Sequence, residues 1–398
     1  METQKPEFGF NVIGYITANL GQGVAARNTV RRLVNCGYKV SCVDLDPGYG
    51  RSNQDKTFEH LIAPDNAPAP YSINIFHMNP PEYRIFMRHF PHMFRFRDRI
   101  NVCVPFWELN RIPQSWVQPL ELMDVVLAPT EFIKHAVASS VSDVSIRKLT
   151  SAAYLPEFEK TTRDKYGINN DSVAFVTSFD VTSEAARKNP WAAIQAFNES
   201  FSQKDNVNLI IKINGQNYDG FEKVRDQLNE LKTRNKKIIL IDAKMSYPEV
   251  ISLYACCDVF VSLHRGEGLG LGLMEAMLLG KPVIGTAYSG NMDFMDDSNS
   301  CLVNYKLIQI PEKNVNHYSK EALGTTLFWA DPDLNEASAW MKRLAKSRIL
   351  REEIGQKAKS TQIQRQNDNS VFNTLIEISN NHKERLSESR KRYCLKSG

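Results

Sequence analysis

The stretch SLHRGEGLGLGLMEAMLLGKPVIGTAYSGNMDFM, residues 262–295, carries most of the information about the fold. A short apolar strand ends at Leu263, four glycines follow at every second position, and a predicted helix then runs from Leu271 to Gly280. Glycine lets the backbone approach a ligand closely, and the start of a helix presents unpaired N–H groups and a partial positive charge. The stretch therefore predicts a strand, a loop and a helix that together bind phosphate, without the lysine of a P-loop.

Two carboxylates bracket the predicted phosphate loop. Glu267 precedes the helix and Glu275 lies within it. A carboxylate accepts hydrogen bonds from two hydroxyl groups at once, which suits a sugar or a ribose diol. A glycine-rich turn alone is as often structural as functional. The turn, the helix start and the two acids together favour a site for a sugar linked to phosphate.

Short apolar strands alternate with helical patterns on both sides of this stretch. Strands are predicted at 10–15, 40–45, 72–76, 101–105 and 125–128, and again at 173–179, 207–213, 238–241, 259–263 and 282–286. The polar segment 156–172 interrupts the alternation, so we expect domains at 1–160 and 173–365, and a terminal helix with a basic tail at 366–398. Alternation of this kind produces parallel sheets, which bind ligands beyond the carboxyl ends of their strands. The sequence thus predicts two α/β domains that face each other across a cleft.

The overall composition is that of a folded globular protein. Of the 398 residues, 42% are hydrophobic and 24% are charged, and the net charge is +4. These values exclude disorder, collagen and coiled coil as the main architecture, and the charge is too small to indicate a nucleic-acid partner. No apolar run reaches the roughly 18 residues of a spanning helix, and residues 1–10 lack the pattern of a secretory signal. We therefore expect a cytoplasmic location.

The cysteines and histidines predict neither disulfides nor a metal site. The seven cysteines are odd in number and include no C-x-x-C pair. Such cysteines are typical of reduced thiols in a cytosolic protein. The eight histidines show no H-x-x-H or H-E-x-x-H spacing, so no metal ligands are expected.

Residues 262–295 resemble the donor site of glycosyltransferases with the GT-B fold, particularly those of the large retaining family 4. Three further segments are similar to that family: LGQGVAAR at 20–27, VPFWEL at 104–109 with PTEF at 129–132, and the segment from SFD to RKNP at 178–190. The resemblance covers about residues 11–295. It implies two facing Rossmann-like, doubly wound domains with the active cleft between them, and a C-terminal helix that crosses back to the first domain.

The resemblance also implies an activity. A retaining glycosyltransferase would move a sugar from a nucleotide-diphosphate donor to a saccharide or lipid-linked acceptor, as in bacterial-type polysaccharide or glycan synthesis. It would need no cofactor and no obligatory metal, and the leaving phosphate would take the acceptor's proton on the same face of the sugar. Two alternatives stay open: a sugar-nucleotide epimerase on the same fold, and a non-catalytic subunit that binds a sugar nucleotide.

Carried over position by position, the resemblance implies roles for individual residues. Lys188 would hold the donor diphosphate, Glu275 would bind the nucleotide ribose, and Glu267 would bind hydroxyls of the transferred sugar. The glycine-rich segments would contribute contacts to the donor through Gly21, Gly23, Gly268, Gly270, Leu271 and Gly272. The physical reason is that a leaving diphosphate gains charge in the transition state, which fixed cations and dipoles stabilise.

One departure from the family pattern concerns the phosphate cations. Phe179 and Asp180 stand where many members have a Gly-Arg pair. The second cation for the diphosphate would then come from Arg187, Lys212 or Arg265.

The other departure concerns the first domain, where many members have a histidine after the strand that corresponds to 101–105. Trp107 and Glu108 follow that strand here. Glu108 would contact the acceptor or the sugar, unless it is only a charge at the start of a helix. His77, after the strand at 72–76, would face the same cleft as a catalytic group, unless it is a structural histidine of the core.

Arginines and aromatic residues alternate at 83–97. This pattern suits contact with an anionic membrane surface, which attracts basic residues near lipid, and it would place the enzyme on the inner face of the membrane. An amphipathic helix with buried aromatics and solvated arginines explains the same residues. Binding of nucleic acid is not expected, since no recognisable nucleic-acid module accompanies the segment.

Overall fold

Two parallel β-sheets organise the structure, a computed structural model that describes residues 6–45, 54–64, 69–83, 99–216, 218, 220–310 and 327–380. The first sheet has the strand order β2-β1-β3-β4-β5-β6 and the second has the order β12-β11-β10-β7-β8-β9. The strands of the first sheet are β1 (Glu7–Gly14), β2 (Val40–Asp44), β3 (Tyr71–His77), β4 (Ile100–Cys103), β5 (Val125–Ala128) and β6 (Ser145–Lys148). Those of the second are β7 (Val173–Asp180), β8 (Val207–Asn214), β9 (Ile238–Ile241), β10 (Val259–Ser262), β11 (Val283–Thr286) and β12 (Cys301–Val303).

Helices flank both sheets and cover their faces. In the first domain they include α1 (Gly21–Asn35), α2 (Gln114–Glu121) and α3 (Glu131–Ala138), and the described residues 80–83 are also helical. Those of the second are α4 (Ala185–Lys188), α5 (Pro190–Ser200), α6 (Phe221–Arg234), α7 (Tyr247–Cys256), α8 (Leu271–Leu278), α9 (Leu334–Lys346) and α10 (Arg348–Gln366). Because both sheet faces are covered, central strands such as β5 are buried at every residue, which is why they read as continuous apolar runs.

The strand order reverses beside the first strand of each domain. In the first sheet β1 lies between β2 and β3, and in the second sheet β7 lies between β10 and β8. Such a reversal opens a crevice at the carboxyl ends of the strands, and ligands of open α/β sheets bind there. The predicted fold class, two doubly wound α/β domains that face each other, is confirmed.

The chain returns to the first domain at its end, as predicted. A helix at 370–380 (α11) packs Val371, Phe372 and Leu375 into the core that contains Phe10 of β1. The rings of Phe10 and Phe372 lie 6.1 Å apart, edge to face. The helix α11 therefore packs against the first sheet.

A second connection between the domains was not predicted. An antiparallel hairpin, β13 (Tyr305–Gln309) with β14 (Phe328–Pro332), follows the second sheet. Trp329 of this hairpin is buried in the cluster that holds Trp107 and Leu109 of the first domain. The two domains therefore share an apolar contact in addition to α11.

The predicted boundary segment 156–172 lies between β6 and β7, and its residues pack mainly on the second domain. Phe158 and Ile168 join the core around α7 and α8, and Arg163 forms an ion pair with Asp258 at 2.8 Å. The exact domain limits stay predictions.

The predicted membrane segment 83–97 lies outside the described residues except for Tyr83, which is buried. The basic tail from residue 381 onward also lies outside them. Within the part of the chain that the structure describes, no helix has the length and the apolar character needed to cross a membrane.

Candidate active site

A cavity of about 620 Å³ lies between the carboxyl ends of the two sheets. The second domain lines it with the ends of β7 and β10 and with the start of α8, while the first domain contributes the start of α1 and the segment 106–108. Most of the predicted site residues line this cavity, namely Gly21, Glu108, Arg187, Lys188, Glu267, Gly268, Gly270, Leu271, Gly272 and Glu275.

A cluster of two cations and two carboxylates occupies one part of the cavity. Lys188 Nζ lies 2.5 Å from Glu267 Oε1, and Arg187 Nη1 lies 3.7 Å from the other oxygen of Glu267. Arg187 Nε also pairs with Glu108 Oε1 at 3.2 Å, so this ion pair crosses from the second domain to the first. The short helix α4 and the left-handed residue Asn189, whose side chain donates to the Leu263 carbonyl, hold the two cations beside the glycine-rich loop.

The two cations are not equivalent. The Arg187 guanidinium donates to the carbonyls of Gly266 and Ser183 at 2.6 and 2.7 Å, in addition to its contacts with the two carboxylates. Lys188 has three N–H bonds, of which the hydrogen bonds among described residues assign one to Glu267. Lys188 is therefore the cation that can turn to an incoming phosphate, whereas Arg187 mainly fixes the carboxylates and the loop.

The electrostatics of Glu267 follow from this cluster. Burial acts to raise the pKa of this carboxyl, but Lys188 and Arg187 outweigh burial and hold its pKa at about 2. The backbone N–H of Glu267 donates to Ser289 Oγ at 2.8 Å, which fixes the residue's position. Glu267 is thus a permanently ionised hydrogen-bond acceptor that faces the cavity.

The start of α8 forms the predicted phosphate-binding backbone. Gly270 precedes the helix with a φ of +89°, a conformation that favours glycine. Leu271 and Gly272 follow as the first two helical residues, whose N–H groups have no partner within a helix and point along its axis. Both line the cavity.

Glu275 lies one helical turn further into α8. Its carboxylate is next to a neutral hydroxyl group, whereas that of Glu267 is next to two cations. Tyr247 Oη donates to Glu275 Oε1 at 2.9 Å. Burial raises the pKa of Glu275 to about 7, and the hydrogen bond from Tyr247 only partly offsets this. Glu275 therefore changes its protonation state near neutral pH. No motif in the sequence marks Tyr247, which is distinguished only by its place at the start of a predicted helix.

Gly268 has a role between the domains that sequence reasoning missed. A Cβ atom at Gly268 would lie 2.8 Å from the carbonyl oxygen of Trp107, and one at Gly266 would lie equally close to the carbonyl of Glu108. The carbonyl of Gly268 also accepts a hydrogen bond from Thr130 Oγ1 at 3.0 Å. These two glycines let the first domain approach the loop, so they shape the interface as well as the cavity.

Four of the predicted residues lie elsewhere. Gly23 does not line the cavity and packs against the carbonyls of Tyr15 and Ala18. Arg265 points away from the cavity and binds Asp331 at 2.8 Å beside the ring of Trp329. A strand-end position does not determine which way a long side chain turns, and the structure places Arg265 outside the lining of the cavity.

Lys212 and His77 are both fully buried and do not line the cavity. Lys212 donates to three oxygens at the ends of β8 and β9 and is not available to a phosphate. His77 lies under the ring of Phe106 beside a separate small cavity, and burial lowers its pKa to about 3. Its ring nitrogens have no hydrogen-bond partner in the described residues, so the geometry favours the structural alternative over the catalytic one.

Comparison with known proteins agrees with this geometry. Glycosyl transferases group 1 is the family whose sequence profile matches, over residues 160–306, a range that includes Lys188, Glu267 and Glu275. No curated protein shows significant sequence similarity to the chain.

Several solved structures have the same fold. A sucrose-phosphate synthase from Thermosynechococcus elongatus superposes with a TM-score of 0.64 at 13% identity, over 97% of this chain and 100% of the other. HepE from Anabaena, solved with UDP-glucose, gives a TM-score of 0.60 at 15% identity over 96% and 100%. TarM from S. aureus, in complex with UDP among other ligands, gives 0.55 at 14% identity over 77% of this chain, which spans 55% of TarM. The chain has the GT-B fold, and its residues 160–306 are similar to the group 1 glycosyltransferases.

Proposed function

We propose that this protein transfers a sugar from a nucleoside-diphosphate donor to a hydroxyl group of a saccharide or lipid-linked acceptor, with retention of configuration and without an obligatory metal. The observation that carries the proposal is the convergence of Lys188, the start of α8, Glu267 and Glu275 in one cavity. This set offers one partner to each part of such a donor: a cation and backbone N–H groups to the diphosphate, and a carboxylate to each of the two sugars.

The leaving group is the part of the donor that needs the most stabilisation. As the glycosidic bond breaks, negative charge develops on the nucleoside diphosphate. Lys188 and the N–H groups of Leu271 and Gly272 lie where they can meet that charge without reorganisation, and such fixed partners lower the barrier. These groups are the basis for the proposal that no metal ion is required.

Glu267 binds the transferred sugar rather than attacking it in this proposal. A carboxylate with a pKa of about 2 that is held by Lys188 and Arg187 is a weak base and a weak nucleophile. The oxygen of the leaving phosphate is the stronger base nearby, so we propose that it accepts the acceptor's proton on the same face of the sugar. Retention follows from attack on that face.

The ligands bound in the similar structures support the class of donor. HepE was solved with UDP-glucose and TarM with UDP. The likeness to this chain shows the fold alone, so the nucleobase and the sugar are open. We propose in addition that the enzyme acts in polysaccharide synthesis and lies at the inner face of a membrane. The first domain would bind the acceptor, and residues 83–97 would contact the membrane.

The test is a transfer assay with the purified protein. UDP-, GDP- and ADP-sugars are offered with a panel of saccharide and lipid-linked acceptors, release of nucleoside diphosphate is followed, and the anomeric configuration of the product is read by NMR. We expect turnover with one class of donor and undiminished activity in EDTA. The product should have the same anomeric configuration as the donor. Binding without turnover would favour the non-catalytic subunit, and conversion of the donor sugar without an acceptor would favour an epimerase.

A further inference from the structure

Lys212 is a buried cation beside the cavity that the proposed reaction does not use. It lies near the end of β8, and its side chain has no exposed surface. Its Nζ donates to the carbonyls of Ile213 and Ala243 at 2.6 and 3.1 Å and to Asn214 Oδ1 at 2.8 Å. An ammonium group has three N–H bonds, and these three oxygens use all of them.

The oxygens that Lys212 binds belong to two loops that line the cavity. One loop follows β8 and contributes residues 214–216, and the other follows β9 and contributes residues 244–245. Gln216 makes a second tie, since its Nε2 donates to the carbonyl of Asp242 at 2.7 Å. Lys212 and Gln216 thus join the two loops into one wall of the cavity, which we call the nucleobase wall and define as residues 214–216 and 243–245.

The position of this wall relative to Glu275 indicates what it binds. Tyr247 follows the wall by two residues and donates to Glu275. If Glu275 holds the ribose, as the proposed function requires, the nucleobase on that ribose lies beside the wall. The wall is suited to a flat group with polar edges, because it combines the side-chain amides of Asn214 and Gln216 with the apolar Met245.

We propose that Lys212 is a positioning residue that fixes the nucleobase wall and thereby determines which nucleoside diphosphate the cavity selects. The side chain reaches no ligand itself, since its three donors are bound by protein oxygens. Its removal would take a donor from Asn214 Oδ1 and from the Ala243 carbonyl, and would leave the tie between the two loops to Gln216. Burial lowers the pKa of Lys212 to about 8, while Asp180 and Asp242 favour its charged form.

The test compares Lys212→Met with the wild type. Binding of UDP, GDP, ADP and inorganic pyrophosphate is measured by calorimetry, because pyrophosphate probes the phosphate part of the site without the wall. The control is Lys281→Met, which removes a half-buried lysine that also donates to a carbonyl, Ala255 O at 2.9 Å, away from the cavity. If Lys212→Met does not fold by circular dichroism, Lys212→Gln replaces it, since an amide retains two of the three N–H donors without the charge.

We expect the preferred nucleoside diphosphate to bind on the order of tenfold more weakly to Lys212→Met, as for buried acceptors that lose a hydrogen bond. The discrimination among the three nucleotides should shrink, pyrophosphate binding should be unchanged, and Lys281→Met should behave as the wild type. An unchanged ratio among nucleotides, or an equal loss for pyrophosphate, would overturn the inference. Failure of the wild type to bind any of the nucleotides would overturn the proposed function instead.

Discussion

Glu267 and Glu275 line the same cavity, but the electrostatic surroundings of the two carboxylates differ. Glu267 lies against Lys188 and Arg187, which hold its pKa at about 2. Glu275 lies against the hydroxyl of Tyr247, and burial raises its pKa to about 7. One carboxylate is therefore charged at every physiological pH, and the other gains or loses a proton near neutrality.

The difference shows that nearby cations decide the charge state of Glu267, whereas burial decides that of Glu275. Both side chains are buried, so both carry the cost of desolvation. Two cations overcome that cost at Glu267, and a single neutral hydroxyl does not at Glu275. In the proposed function the phosphate end of the donor lies on the Glu267 side, because Lys188 lies there and can exchange its partner for a diphosphate.

Removal of Lys188 should have the largest effect on activity. Lys188→Ala takes away the cation that meets the leaving diphosphate, and loss of one preorganised partner of this kind costs on the order of 10²–10³ in kcat. The control is Lys134→Ala, which removes a lysine that pairs with Glu131 outside the cavity. Steady-state kinetics on both variants test this, and unchanged kcat in Lys188→Ala would remove the phosphate assignment.

The stability of the protein should depend on pH in opposite ways through the two acids. The pKa of Glu275 is raised, so the folded state retains a proton that the unfolded state releases, and this residue destabilises the fold as pH rises from about 4.5 to 7. The change amounts to about 3 kcal/mol, at about 1.4 kcal/mol for each unit of pKa. Glu267 contributes stability that is present above about pH 4.5 and is lost as pH falls toward 2.

Denaturant unfolding of the wild type and of Glu275→Gln between pH 5 and 8 measures the first effect. We expect the wild type to lose stability relative to the variant as pH rises across this range. If the free energy of unfolding changed with pH in the same way in both proteins, Glu275 would have an ordinary pKa.

Donor affinity should depend on pH through Glu275 and hardly through Glu267. The ionised Glu275 can accept from both hydroxyls of a ribose diol, so affinity should fall on the order of tenfold as pH drops from 8 to 5.5, the effect of a lost charged acceptor. Tyr247→Phe removes the bond that favours the ionised form and should move this transition to higher pH. Titration of nucleoside diphosphate by calorimetry at several pH values tests both, with Glu275→Gln expected to show no transition.

Much of the second domain's part of the site could be predicted from the sequence. Lys188 and the residues from Glu267 to Glu275 lie in two short segments at strand ends, where parallel sheets bind ligands, and the family resemblance implied that both segments belong to one donor site. Tyr247 and the pairing of Arg187 with Glu108 could not be predicted, because each contact joins residues far apart in the chain.

Three candidate residues do not line the cavity, and the reason is the same for each. Arg265, Lys212 and His77 lie at or near strand ends as expected, but the direction of a side chain depends on packing that a single sequence does not reveal. Strands with continuous apolar runs were predicted close to their observed positions. The edge strand β6, Ser145–Lys148, was missed because it is partly exposed and lacks such a run.

Replacement of His77 should have the smallest effect. The ring is buried outside the cavity, carries no charge near neutral pH because its pKa is about 3, and has no hydrogen-bond partner in the described residues. His77→Leu should leave kcat and KM within about twofold of the wild type, because it breaks no bond to the site. A fall in kcat comparable to that of Lys188→Ala, in a variant that is folded, would return His77 to the catalytic groups.

A crystal structure with a bound nucleoside-diphosphate sugar tests the central claim most directly, namely that the two acids mark the two ends of the donor. The account predicts the diphosphate within hydrogen-bonding distance of Lys188 Nζ and the N–H groups of Leu271 and Gly272. It predicts the ribose hydroxyls on Glu275 and hydroxyls of the transferred sugar on Glu267. A donor bound in the reverse direction, with its ribose on Glu267, or bound outside this cavity, would contradict the account.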